Sequence, residues 1–296
     1  MEPVLNNKNL DLFWKYIIER YRIYLKKKNG EEYPWTQDPI LLKWKFTNVF
    51  RETDPGTLFV INNIIPNFSL DFENLLFNII IYRIYNKIET FEYIGNQKID
   101  NYDIDTLEKS LREIVNNGNK VFTNAFIVPS YRFICPEKDK IGRSCILIDQ
   151  IKNIIPIISE NILSKKKSEY TFTEIMKLPG IGKFLSYQIC VDLGYWNIDI
   201  FNEDEFVIAG PGCINGLNKL FIDKKNLSYE ECISYLVKKQ YEGFQSNNID
   251  MDYFFKDREK PYLNLMSIEN CLCEISKYLK VYYNEGRARN KYNYTE

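Results

Sequence analysis

Apolar positions recur at three- and four-residue steps along almost the whole chain, the spacing that places them on one face of a helix. Leu10, Phe13, Trp14, Ile17, Tyr21 and Tyr24 make the first stripe, and Gly30 stands where a left-handed residue would close that helix. Asp38-Pro39 reads as an N-cap followed by proline at the first helical position, opening a helix through Val49. The same period predicts helices near 70–88, 104–117, 144–162, 183–194, 213–222, 228–243 and 267–285. Asn117-Gly118 marks a helix stop, and Ser228 with Glu231 a capping box. No alternating run of strand length stands out, although Phe122–Val128 has extended character. The pattern specifies an all-α protein.

The sharpest local signal is TFTEIMKLPGIGKFLSYQICVDLG, residues 171–194. Thr171 and Glu174 read as a capping box before a short helix, and Ile175, Leu178, Ile181, Leu185 and Ile189 keep one face apolar. Pro179 disfavours continuing that helix, while Gly180 and Gly182 permit a tight turn. The result is the hairpin of a helix-hairpin-helix unit. Backbone N–H groups around Gly180, Gly182 and Lys183, at the positive end of the second helix, suit a nucleic-acid phosphate. Such contacts position a duplex without reading its sequence. An ordinary αα-turn has a similar composition, so both readings stay open at this point.

The 296 residues, 45% hydrophobic and 27% charged, suffice for the core of one large domain or two small ones. A net charge of −1 argues against a basic coat but leaves room for a local basic groove. With no histidine in the chain, histidine triads, histidine zinc sites and imidazole acid–base chemistry are excluded. Seven scattered cysteines form no CxxC pair, which points to the reduced, buried thiols of an intracellular protein. No leader pattern follows Met1, and the apolar stretch Leu75–Tyr82 is stopped by Arg83, so no membrane partner is expected. Gly286–Glu296, with Arg287, Arg289 and Lys291, reads as a polar tail.

Several further residues carry candidate chemistry. Gly210 and Gly212, around Pro211, would admit close approach of a phosphate, with a plain turn as the alternative. Asp204, in the acidic stretch Asp199–Glu205, offers a carboxylate to accept a proton or stabilise positive charge, and an acidic surface loop is the alternative. Trp35 can stack on a base, Asn48 can bond a base edge and Arg51 can clamp a phosphate. Each has a structural alternative: Trp35 as core, Asp38 as an N-cap, and Arg51, Glu52 and Asp54 as a local salt network.

PWTQDPILLKWKFTNVFRETD, LLFNIIIYRIYNKIET, LPGIGKFLSYQICVDLGY, GPGCINGLNKL and ENCLCEISKY follow in that order. Together they resemble the successive motifs of the 5-hydroxymethyluracil DNA kinase helical domain, and of the alpha-glutamyl/putrescinyl thymine pyrophosphorylases grouped with it. The resemblance implies one two-lobed, DNA glycosylase-like helical domain over residues 8–285, with the helix-hairpin-helix at 171–194 and a tail at 286–296. It implies a thymine-derived base in DNA as substrate; with the residue types above, the expectation is a double-stranded DNA partner whose base is extruded into a pocket between lobes, with Trp35, Thr36, Asn48 and Arg51 around it. The reaction implied is transfer at the 5-methylene, a small amine or amino acid replacing pyrophosphate. In that reaction Arg51 or Lys45 balances phosphate charge, and Asp204 or Asp192 takes the proton. In helix-hairpin-helix glycosylases an aspartate at the spacing of Asp204 faces the flipped nucleotide. The catalytic lysine of their bifunctional members is replaced here by Phe184, so Schiff-base chemistry is not expected.

No cofactor is identified, although a divalent metal could assist the leaving group, and the oligomeric state is open. These residues contain no Gly-x-x-x-x-Gly-Lys-Ser/Thr loop, so the resemblance is to the helical domain and not to a P-loop kinase. Cys213-Ile214-Asn215 stands where the family often has a basic pair. Two alternatives accompany the transfer reading. One is a DNA glycosylase using Asp204; the other is a catalytically silent reader of an unusual base.

Overall fold

The computed structural model describes residues 2–123, 131–288 and 290–292. Among them, fourteen α-helices follow in chain order: α1 (Asn7–Lys28), α2 (Pro39–Lys43), α3 (Pro55–Phe59), α4 (Phe72–Tyr85), α5 (Ile88–Ile94), α6 (Ile104–Asn116), α7 (Lys140–Lys152), α8 (Ile155–Lys165), α9 (Ser168–Ile175), α10 (Lys183–Trp196), α11 (Pro211–Leu220), α12 (Tyr229–Gln245), α13 (Met251–Phe254) and α14 (Leu265–Tyr282). The strands described are β1 (Val4–Leu5) and β2 (Phe221–Asp223), one short antiparallel pair. The protein is all-α. Most of the extended segment expected at Phe122–Val128, and Arg289 of the tail, lie outside the described residues. No described helix is long and apolar enough to cross a membrane.

The chain divides into two compact units: unit 1, Met1–Asp54 with Val207–Glu296, and unit 2, Pro55–Phe206. In unit 1 the first apolar stripe is buried as expected, with Phe13, Trp14, Ile17 and Tyr21 in the core. Asn6 caps the start of α1, and Gly30 follows its end in the left-handed region (φ +73°). The closest helix pair is α11 against α14. A Cβ on Gly212 would lie 2.3 Å from Cys273 Sγ, and one on Gly216 would lie 2.1 Å from the backbone oxygen of Leu272. Two glycines one turn apart on α11 therefore let its backbone rest on α14. Gly216→Ala is expected to cost about 1–3 kcal/mol by overpacking, because a carbonyl cannot rotate aside as a side chain does. Thermal unfolding checks this; an unchanged midpoint would mean the helices separate freely.

In unit 2 the centre is α4, whose residues from Leu75 to Tyr85 are all buried. Asp71 caps its start, and Asn86 ends it in the left-handed region. Against it lie α8 and α10.

Several boundaries differ from the sequence reading, each for a tertiary reason. The helix opened by Asp38 stops at Lys43, because Trp44 turns extended to pair antiparallel with Lys291, and the Phe46 and Thr47 carbonyls then bond to a side chain of α1. The stretch 144–162 is two helices, broken at Asn153-Ile154, with Pro156 in the first turn of the second. Helix α9 begins at Ser168, so Thr171 and Glu174 form no capping box. The Thr171 hydroxyl donates instead to the Ile200 carbonyl, and the Glu174 carboxylate accepts from Asn161 and Lys177. Phe221 leaves α11 to start β2. The Ser228–Glu231 capping box and the stop at Asn117-Gly118 are present as read.

Candidate functional site

Unit 1 gathers a polar network around the loop Phe46–Asp54. Arg20, on the buried face of α1, donates to the carbonyls of Thr47 (2.9 Å) and Phe46 (3.2 Å) and to Asn48 Oδ1 (2.6 Å). Asn48 Nδ2 donates to the Thr53 carbonyl at 2.8 Å, and its backbone N–H to Asp54 Oδ1 at 2.9 Å. Asn48 thus uses one bond at each end of its amide to hold the loop. Arg51 pairs with Asp54 at 3.3 Å, and Asn270 of α14 donates to the Asn48 carbonyl at 2.7 Å. Burial raises the Asp54 carboxyl above its ordinary range, while Arg51 and the Asn48 N–H oppose that rise. Of the local salt network read from Arg51, Glu52 and Asp54, the Arg51–Asp54 pair is present, and Glu52 pairs instead with the distant Arg258.

Against this loop stands Glu269, in the first turns of α14 and only 5% exposed. Its Oε1 accepts the backbone N–H of Gly210 at 3.1 Å. No hydrogen bond reaches its Oε2 among the described residues. Burial pushes the carboxyl up to about 7; the Gly210 N–H and the Arg51 charge pull it down, and Glu274 pushes it further up. The motifs FTNVFRETD, GPGCINGL and ENCLCEISKY therefore meet in one place, through Arg51, Gly210 and Glu269. Sequence reasoning singled out Arg51 and Gly210 and not Glu269. As one polar position on an amphipathic helix, Glu269 gave no signal beyond its membership of the last motif.

Nearby in sequence, Thr36 is buried and its hydroxyl donates to Glu19 Oε1 at 2.6 Å. Asp38 caps α2 through Oδ1, and its Oδ2 accepts the Tyr278 hydroxyl at 2.6 Å. A cleft of about 290 Å³ opens beside them, lined by Tyr16, Glu19, Arg22, Asp38 and Tyr278 among others. Trp35 is half-buried; its indole N–H donates to the Glu31 carbonyl at 2.7 Å, and Lys27 Nζ lies 4.5 Å from its ring centre.

Unit 2 holds the remaining residues. The turn between α9 and α10 buries Leu178 and Ile181 and leaves Gly182 and Lys183 exposed. Gly180 has φ +71°, and a Cβ there would lie 2.9 Å from Leu147 Cδ1. Gly182 is the N-cap of α10 with no side-chain cap, and nothing lies within 4 Å of where its Cβ would be. One glycine thus serves the turn, and the other leaves the helix start open. Asp204 is half-buried in the turn after Phe201, its backbone N–H donating to Asn202 Oδ1 at 3.0 Å. Asp192 is fully buried, bonded through both oxygens by Arg83.

In unit 1, Gly210 commits its N–H to Glu269, and the missing side chain of Gly212 is accounted for by Cys273. No group of three or more Cys, Asp or Glu side chains suited to a metal ion occurs among the described residues.

Fold and site define a helical module whose sequence motifs converge on a buried acid–arginine cluster. The chain belongs to the family described as the helical domain of 5-hmdU DNA kinase, whose model matches residues 7–288. It is similar to the 5-hmdU DNA kinase of Bacillus phage SP10, with 28% identity over 292 residues. That match takes in 93% of this chain and 45% of the phage protein, so the chain spans less than half of that relative's length. No solved structure matches it.

Proposed function

We propose that this chain binds double-stranded DNA and acts on an extruded base of the 5-hydroxymethyluracil type, exchanging a pyrophosphate on its 5-methylene for an amine. The observation that carries this reading is the meeting of three family motifs at Arg51, Gly210 and Glu269. A buried acid within the electrostatic reach of an arginine suits a reaction that moves a proton and releases a phosphate-bearing group. The name of the phage relative, a 5-hmdU DNA kinase, supports the DNA base. That name also favours a second reading, in which the module presents the base for phosphorylation by ATP-binding machinery outside these residues.

The test is incubation with duplexes carrying thymine, 5-hydroxymethyluracil or its pyrophosphate ester, with ATP or a panel of primary amines, followed by nucleoside mass spectrometry. An amine adduct from the pyrophosphate duplex supports the first reading. A phosphate gained by the hydroxymethyl duplex supports the second. Base loss would replace both with a glycosylase, and binding without change with a reader.

In the same reading the turn Leu178–Gly182 is a helix-hairpin-helix contact to phosphate. Gly182→Val is expected to cost no more than about 1 kcal/mol, the difference between a glycine and a valine N-cap, since the site is open and the backbone extended. It should weaken binding to all duplexes alike, on the order of tenfold, as lost hydrogen bonds to a charged group would. Titration against duplexes of several sequences checks this; a loss confined to one sequence would contradict a phosphate contact.

A further inference from the structure

We propose that Glu269 is the proton acceptor of this site, a role that the sequence reading gave to Asp204 or Asp192. The inference rests on the transfer reading above. Its geometry has three parts. Oε1 is pinned by the Gly210 N–H at 3.1 Å, which fixes the direction of the carboxyl group. Oε2 carries no hydrogen bond among the described residues, leaving a lone pair for a proton. The Arg51 charge also reaches Glu269 from the loop of the FTNVFRETD motif, where its guanidinium pairs with Asp54. The charged or titratable neighbours that act on Glu269 or respond to it are Arg51, Cys213, Cys271, Cys273 and Glu274. The three cysteines are held well above the thiol's ordinary range by burial, so they stay neutral at physiological pH. A carboxyl brought to about 7 by burial is divided between its two forms near neutral pH, the condition that suits a general base.

Of the two aspartates, Asp192 is committed to Arg83. Asp204 stays in competition as an accessible carboxylate of unit 2.

The step balances as follows. A primary alkylamine is an ammonium ion at neutral pH. Glu269 takes one proton from it, directly or through one water. The freed nitrogen lone pair forms a bond to the 5-methylene carbon, the carbon–oxygen bond to pyrophosphate breaks, and its electron pair leaves with pyrophosphate. Nitrogen then sheds a second proton to solvent.

The experiment compares the parent with Glu269→Gln and Asp204→Asn. It uses the pyrophosphate duplex and two nucleophiles, an alkylamine and methoxyamine, across a pH series. Methoxyamine is neutral at pH 7 and needs no base to free its lone pair. Glu269→Gln should keep its DNA affinity and lose turnover with the alkylamine by about 10²–10⁴-fold, the usual contribution of acid–base catalysis. It should also lose the pH inflection near 7 and retain most of its turnover with methoxyamine, which a merely structural defect would not spare. Asp204→Asn should keep the inflection. Should Glu269→Gln be poorly folded, Glu269→Asp, which retains a carboxyl, must keep a shifted inflection for the proposal to survive. Parent-like turnover and inflection in Glu269→Gln, with Asp204→Asn inactive, would move the proton to Asp204 and leave the transfer reading standing. An equal loss with both nucleophiles would make Glu269 structural. A parent that makes no amine adduct on any duplex would overturn the transfer reading itself, and this assignment with it.

Discussion

Asp192→Ala is expected to remove about 3–5 kcal/mol of stability, because it strands the Arg83 guanidinium, 2% exposed, without its counter-charge. In the parent both carboxylate oxygens take N–H donors from Arg83, and Arg83 Nη1 also donates to Asn86 Oδ1 at 2.9 Å. Asn86 is the left-handed residue that ends α4, so the pair ties the end of that helix to the middle of α10. Desolvating two charges is costly, and the geometry here repays it only while both partners are present. Replacing the pair together, as Arg83→Met with Asp192→Leu, should recover most of the loss, since no charge is left buried alone. Urea unfolding of the two single variants and the double variant measures the coupling directly. Turnover decides what the pair is for. A folded double variant that still acts on DNA makes Asp192 structural, and a folded but inactive one would return it to the list of catalytic acids.

How much of this was legible in the sequence follows from the range of the forces involved. Local chemistry was readable: Asp38 caps α2, Ser228 and Glu231 cap α12, and Gly30 follows α1, each acting within a few residues. What depended on distant partners was not. The end of α2 is set by distant partners: Lys43 and Lys45 bond to the backbone of Tyr292 and Asn290, and Arg20 of an earlier helix takes the Phe46 and Thr47 carbonyls. The break between α7 and α8 was hidden because Ile151, Ile154, Ile155 and Ile158 keep apolar spacing straight through it. Thr171 had the residue type of a cap, yet its hydroxyl had a better partner in the Ile200 carbonyl. The site divides in the same way. Arg51 and Gly210 stood out as a cation and a glycine turn, whereas Glu269 gains its meaning only when α14 brings it to Gly210, 59 residues away in sequence. Asn48 carries a use that its residue type did not announce: one bond from each end of its amide holds the loop.

Glu269→Gln should make the protein more stable at alkaline pH and leave it nearly unchanged in acid. In the folded chain this carboxyl is raised to about 7 from an ordinary 4.5, chiefly by burial, so the folded state holds its proton more tightly than the unfolded state does. The stabilisation linked to that proton is complete below the ordinary value and is lost as the pH climbs through 7. At about 1.4 kcal/mol for each factor of ten in proton affinity, the full loss is roughly 3 kcal/mol. Glutamine stays neutral throughout and still offers an oxygen to the Gly210 N–H, so the variant does not suffer that loss. Asp54, also raised by burial, bends the stability curve in the same direction in both proteins and cancels in the difference. Urea midpoints of parent and variant at several values between pH 4 and pH 8 provide the check. The gap should be small at pH 4, widen through neutrality and level off above it; a constant gap would mean that Glu269 titrates as an ordinary surface acid. A widening gap in a variant that has also lost turnover with the alkylamine and kept it with methoxyamine would show that the parent keeps an acid here at the expense of its own stability, as a working group demands and a structural one does not.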